Sequence, residues 1–305
     1  MKLFLIIFLV LTVYADSNFD VIPNVKIDNM DKYNLGKRLF HDKNLSRDKT
    51  TSCASCHDLN LYGTDNHEVY LGVENIKGKL NSPTIYNARF NIAQDGSGRA
   101  STIKERAKFS FLNKSEMAGD IKEVIKYIHS NILFYNEFVD VYGYVSEDSV
   151  FDSISYFVEN LLTPNAKFDK FLKGDKAALN KDELKGYHLF KKYGCISCHN
   201  GRNIGGNMYQ KFGIFSEFDH HEGEDDEIKG RYDVTKNQYD KNVFKVPSLR
   251  NIVKTSPYLH DGSISDLQTM IKKMGKHQLG IDIPADDIKF IELFLITLTG
   301  ELENE

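Results

Sequence analysis

Apolar positions recurring at helical spacing organise most of this chain. Residues 31–40 place Leu35, Leu39 and Phe40 on one face. Residues 181–192 repeat the theme, a short amphipathic helix ending in Leu189-Phe190. Segments 120–139 and 150–162 show the same period, and Pro164 ends the second. Residues 103–111 and 264–276 read as two further helical stretches. Residues 16–30 look like an extended arm and 41–51 a polar loop. Segment 215–231 is polar, acidic and glycine-bearing. Its His220-His221 pair and acidic neighbours could bind metal, but a solvated loop is the simpler reading. No segment sustains the two-residue alternation of a strand, so the pattern predicts a mainly α protein.

The first residues are different in kind. Leu3 to Val13 is an apolar run behind Lys2, and Val13-Tyr14-Ala15 ends in a small residue. The run is shorter than the about 20 residues that span a bilayer. Residues 1–15 therefore read as a cleaved secretory signal rather than an anchor. The remaining length fits two domains of ordinary size. A formal net charge of -4 argues against nucleic acid, gives no reason to invoke an anionic membrane, and would suit a basic partner.

Short matches recur in the same order in both halves. Cys53-Ala54-Ser55-Cys56-His57 returns as Cys195-Ile196-Ser197-Cys198-His199. Pro83-Thr84-Ile85-Tyr86-Asn87 returns as Pro247-Ser248-Leu249-Arg250-Asn251, and Asp95-Gly96-Ser97 as Asp261-Gly262-Ser263. Each series ends in a helical segment. This order implies an internal duplication with the boundary near 165–180.

The two Cys-x-x-Cys-His motifs use all four cysteines of the chain. The motif is the attachment signature of c-type haem: both thiols add to the porphyrin vinyl groups from one turn, and the His becomes the proximal iron ligand. A redox disulfide does not need the trailing His. A zinc site would need both motifs to converge on one ion, which the sequence leaves open.

Further residues, taken together, resemble the bacterial di-haem cytochrome c peroxidases. They are Leu35-Gly36 with Leu39-Phe40, Leu45-Ser46-Arg47-Asp48, Asn81-Ser82-Pro83-Thr84, Gly98-Arg99-Ala100, Glu116-Met117, Val246 to Asn251, Pro257 to Gly262 and Met274-Gly275. The chain is similar also to the di-haem enzyme that matures the tryptophan cofactor of methylamine dehydrogenase. The resemblance implies two covalently bound haems. The first, on Cys53, Cys56 and His57, would be low-potential and peroxide-reacting. The second, on Cys195, Cys198 and His199, would be the high-potential entry for electrons. Met274 matches the family's sulfur ligand to the second iron, although spacing alone does not separate it from Met270 on the same helical stripe. Glu116, which by itself reads as a solvated acid, matches the distal acid/base. Asn81, Thr255 and Pro257 match positions that hold a calcium ion between the two haem domains.

Two departures bear on mechanism. Many members carry a distal His sixteen residues after the first proximal one, where this chain has Val73. The first iron would then be five-coordinate or water-bound at rest, with His67 a weaker substitute ligand. The family's inter-haem Trp falls in a run that here reads Gly96-Ser97-Gly98-Arg99, and the chain has no Trp. Tyr86, Phe90 or a direct passage between haem edges would have to carry the electron.

The reading is a mainly α protein of two tandem cytochrome c-like haem domains related by internal duplication. Residues 1–15 are the signal, 16–165 the peroxidatic domain and 166–305 the electron-transfer domain. The expected activity is reduction of hydrogen peroxide to water in the periplasm, with electrons from a small cytochrome c or copper protein. The family is often dimeric, so a homodimer is the corresponding expectation. A protein-modifying oxidase and a plain di-haem electron carrier are the alternatives.

Overall fold

The computed structural model describes residues 18–217 and 228–302. The signal segment 1–15 and the His220-His221 pair lie outside them. The described residues form a mainly helical chain in two lobes, each built where a glycine lets two helices cross closely.

In the first lobe, α1 (Met30–His41) starts at Asn29, whose side chain accepts from the Lys32 amide at 2.9 Å. It crosses α6 (Glu147–Glu159) at Gly36, where a Cβ would collide with the Ser153 carbonyl oxygen and the Phe157 Cβ. The haem motif follows as α2 (Cys53–Cys56), and α3 (Ile103–Leu112) also packs on α6. The segment 120–139 is two helices rather than one, α4 (Ile121–Ser130) and α5 (Ile132–Tyr142). Asn131 sits between them with extended backbone, and its side chain caps α5 by accepting from the Phe134 amide. The core of this lobe centres on Leu35, Leu39, Phe111, Phe134, Phe138 and Phe151.

In the second lobe, α7 (Lys167–Leu172) leads to α8 (Lys181–Lys192), which begins in a capping box between Asn180 and Glu183. It crosses α11 (Ala285–Ile296) at Gly186, where a Cβ would collide with the Phe290 carbonyl oxygen and press on Phe294. Between them lie α9 (Tyr232–Thr235) and α10 (Leu267–Lys273), the latter shorter than the expected 264–276 because it runs on as a π-turn over Met274–Gln278. Phe168, Tyr187, Phe190 and Phe294 form an aromatic core. The only strands among the described residues, β1 (Tyr209–Lys211) and β2 (Val243–Lys245), pair antiparallel.

The first and last described residues cross between the lobes. Phe19 of the arm packs edge-on against Phe168 at 5.3 Å, and Asn18 accepts from the Gly201 amide. Leu302 packs back on the first-lobe cluster that includes Phe40 and Phe157.

The stretches 83–87 and 247–251 make matching turns. Asn87 and Asn251 are both left-handed, and both donate from Nδ2 to Thr163 Oγ1, at 2.8 and 3.0 Å. Thr84 and Ser248 each accept from the amide two residues on. One constant spacing relates Pro83 to Pro247, Asn87 to Asn251, Gly98 to Gly262, and the N-caps Thr102 and Asp266. The match of Asp95-Gly96-Ser97 to Asp261-Gly262-Ser263 is therefore two residues out of register. The left-handed turns pair Gly98 (φ 68°) with Gly262 (φ 69°), and the bridge Gln94–Ala100 corresponds to Tyr258–Ile264.

Candidate functional site

Each motif coils so that its two thiols lie on one turn. Ser52 and Ser55 box the start of α2, and the His57 amide closes on the Cys53 carbonyl at 3.0 Å. The second motif is a tighter turn over Cys195–Ser197, with the same bond from His199 to Cys195 at 3.0 Å. His57 Nδ1 lies 3.0 Å from the Gly63 carbonyl, and His199 Nδ1 lies 3.3 Å from that of Ile204. An Nδ1–H donated to a carbonyl leaves Nε2 as the lone-pair nitrogen that binds a metal. Burial keeps both rings in that neutral state, holding His57 below its usual range and His199 down at about 4.

All four thiols are unpaired, and burial pushes Cys53, Cys56 and Cys195 up to about 12. Among the described residues no group of three or more His, Cys, Asp and Glu side chains could hold a metal ion, so the motifs do not build a shared zinc site. Two neutral thiols on one turn followed by a neutral imidazole fit a covalently attached haem in each lobe.

Over the first motif the chain folds back twice. The loop 70–80 comes close to Cys56, whose sulfur is 3.8 Å from the Leu71 carbonyl. It lies so tightly on the turn 113–117 that a Cβ at Gly72 would collide with the Ser115 carbonyl. Val73 is fully buried there, and its amide donates to the Glu116 carbonyl at 2.8 Å. Valine has no donor for iron. His67 is exposed in the turn before this loop.

The Glu116 side chain is oriented by two neighbours. Asn113 Nδ2 donates to its Oε1 at 2.8 Å, and Arg106 Nη2 lies 3.5 Å from the same oxygen. Ser115 links Asn113 to Tyr70: its hydroxyl donates to Asn113 Oδ1 at 3.0 Å and lies 3.1 Å from Tyr70 Oη. The charges of Glu116 and Arg106 are both felt at Cys53, His57 and Tyr70, and the Val73 amide on the Glu116 carbonyl joins the pair to the loop beside Cys56, so it borders the first motif. Sequence reading missed Arg106, because only the turn 113–117 brings Glu116 back to α3.

In the second lobe the two methionines of the stripe part company. Met270 packs against the hydrophobic core. Met274 lies outside that cluster, half-buried at the start of the π-turn.

At the junction of the lobes, a Cβ on Gly96 would meet only Phe244, at 3.8 Å. Phe244 stacks on His260 with centroids 5.0 Å apart, and pairs across the strands with Gln210, whose Nε2 is 3.9 Å from Cys198 Sγ. Tyr86 is buried with its hydroxyl on the Leu59 carbonyl, and Phe90 lies under the Arg202 guanidinium at 5.0 Å. Asn81 donates from its amide to the His260 carbonyl and from Nδ2 to the His67 carbonyl, both at 2.8 Å, which brings it to the loop that follows Thr255 and Pro257.

A family model described as di-haem cytochrome c peroxidase matches residues 30–177. The chain is 43% identical over 289 residues to the cytochrome c551 peroxidase of Nitrosomonas europaea, spanning 94% of this chain and 85% of that one. This chain belongs to the di-haem cytochrome c peroxidase family. It is 38% identical to the cytochrome c551 peroxidase of Pseudomonas aeruginosa, over 88% of this chain and 78% of the relative. The methylamine utilization protein MauG of Methylophilus methylotrophus stands further off, at 26% over 87% of this chain and 78% of that protein. The fold is shared with a MauG-like protein associated with microbial copper homeostasis (TM-score 0.79, 24% identity, 92% of this chain and 93% of that chain). It is shared also with the diheme peroxidase BthA of Burkholderia thailandensis (TM-score 0.75, 16% identity, 92% and 90%).

Proposed function

We propose that this family member reduces hydrogen peroxide to water, taking two electrons from a small periplasmic cytochrome c or copper protein. Cys53, Cys56 and His57 would hold the peroxidatic haem, and Cys195, Cys198, His199 and Met274 the electron-entry haem. When bound, the haems supply the redox chemistry, and sulfur ligation raises the potential of the second. Residues 16–165 and 166–305 are then a duplicated pair. The crossings at Gly36 and Gly186, and the twin asparagines on Thr163, support that reading.

One observation carries the proposal. Glu116 is fixed by Asn113 beside the buried Val73, in the crevice of the first motif. Its carboxylate would take a proton from one peroxide oxygen and return it to the other, which leaves as water. Val73 cannot ligate iron, so that position would leave the first haem five-coordinate or water-bound, and no reductive activation would be needed. Oxygen-rich turns at Asn81, Thr255 and Pro257 are suited to a calcium ion between the lobes.

Steady-state turnover of peroxide with reduced cytochrome c is the test. Glu116→Gln should lower it by about 10²–10⁴-fold with the visible haem spectrum unchanged. A variant running at the native rate removes Glu116 from the mechanism. A native protein with no turnover, before or after reduction, leaves an electron carrier.

A further inference from the structure

Arg106 stands in the first crevice with no role assigned to it. Its guanidinium carries a positive charge and five N–H donors. Nη1 donates to Ser110 Oγ, one turn along α3, which fixes the plane of the group. Nη2 reaches Glu116 Oε1 at 3.5 Å, longer than a good charge-assisted hydrogen bond. Arg106 thus sits beside the carboxylate without being closed by it. About a third of its side chain is exposed, against 19% for Glu116. Its neighbour Ala107 packs against the same hydrophobic cluster as Cys53, and its charge reaches Cys53 and His57, so it borders the first motif.

We propose that Arg106 makes the first pocket a site for small anions and is a catalytic residue alongside Glu116, receiving the hydroperoxide anion. The inference rests on the peroxidase reading above. Before proton transfer, the positive charge balances the Glu116 carboxylate. When Glu116 takes the proton, the carboxylate becomes neutral and the negative charge moves to the peroxide. The guanidinium then balances that anion, so the pocket faces an anion in both states. Glu116 returns the proton to the far oxygen as the O–O bond breaks, and that oxygen leaves as water. The second oxygen takes two further protons and, with the two donor electrons counted, leaves as the second water. A fixed cation at the developing charge acts as an oxyanion hole does.

The test is fluoride titration of the fully ferric holoenzyme, followed through the optical spectrum of the first haem, in the native protein and three variants. Arg106→Gln should weaken fluoride binding about tenfold or more, the scale of one charge-assisted hydrogen bond. Arg106→Lys should recover part of the loss. Glu116→Gln should tighten binding, because the cation loses its competing carboxylate, and a merely structural role for Arg106 would not produce that opposite sign. An unchanged spectrum of the second haem reports that each variant is folded. Equal fluoride affinity in the native protein and Arg106→Gln overturns the inference while leaving the open pocket standing. A native protein that takes no fluoride overturns the open pocket and the inference together.

Discussion

The carboxylate of Asp48 accepts a hydrogen bond from the backbone N–H of Glu74 at 2.8 Å, tying the loop that carries Val73 to the stretch before the first haem motif. Thr50 donates to the same carboxylate from its hydroxyl and amide, at 2.7 and 3.0 Å, and Ser46 from its hydroxyl at 3.1 Å. Burial pushes this acid up, but the bonds outweigh it and hold Asp48 well below the usual carboxylate range. A carboxylate whose folded pKa is depressed stabilises the fold above its unfolded value, about 3.9, and loses that contribution as pH falls through the folded value. The clasp should hold at neutral pH and weaken in acid. Asp48→Ala should raise amide exchange across residues 70–78 at neutral pH. Native-level protection of that segment in the variant would mean that Gly72 and Val73 suffice to hold it.

Gly36 and Gly186 make the same kind of contact in different lobes, each where two helix backbones touch. An added methyl has backbone in its way rather than a flexible side chain, so the helices must separate. Gly186→Ala should lower stability by several kcal/mol, in the range of severe overpacking. Gly174 is no guide here, since it lies in the turn after α7 with φ 107° and nothing lies within 4 Å of its Cβ position. Thermal unfolding of the holoprotein followed by circular dichroism measures the difference. A melting temperature within a degree or two of native would show that α8 and α11 are not pressed together at Gly186.

Much of this architecture was legible from periodicity and caps. Residues 181–192 form α8 with the expected bounds, because an amphipathic stripe and a capping box at Asn180 and Glu183 agree. The helix α11 was not singled out: Ile288, Phe290, Ile291, Leu293, Phe294, Leu295 and Ile296 run nearly all round it and leave little polar face to betray a period. Asn131 is a second limit, since one residue both ends α4 and caps α5 inside an unbroken apolar pattern. The haem cysteines and histidines were readable because their spacing is local. Arg106, and Phe244 opposite Gly96, were not, because their partners are supplied by the folded chain.

Arg250 and Asp169 form an ion pair at 2.8 Å with both side chains at or below 1% exposure. Arg250 also donates to the carbonyls of Arg202 and Asp20, at 3.0 and 2.9 Å, so one side chain joins α7, the loop after the second motif and the N-terminal arm. Removing one member strands a buried charge, at a cost of about 3–5 kcal/mol. Arg250→Met should therefore destabilise strongly and free Phe19 from its pocket. The double variant Arg250→Met with Asp169→Leu should lose much less than the sum of the two single changes, because no charge remains buried alone. Chemical denaturation of the four proteins closes the cycle, and strict additivity would mean that the two groups do not sense each other.

Met270 and Met274 occupy one helical stripe, yet only Met270 packs against the hydrophobic core of the second lobe. Leucine nearly conserves the volume of methionine, so Met270→Leu should cost less than about 1.5 kcal/mol and leave both haems unaltered. Met274→Leu removes the sulfur offered at the π-turn. The second haem should then lose its sulfur-to-iron charge-transfer absorption, and its midpoint potential should fall, because thioether ligation favours the reduced iron. Potentiometric titration of the two variants separates the residues cleanly, since their effects on stability and on potential are expected in opposite places. A lowered potential in Met270→Leu, with Met274→Leu native-like, would move the ligand one turn back along α10 and make the π-turn a packing feature instead.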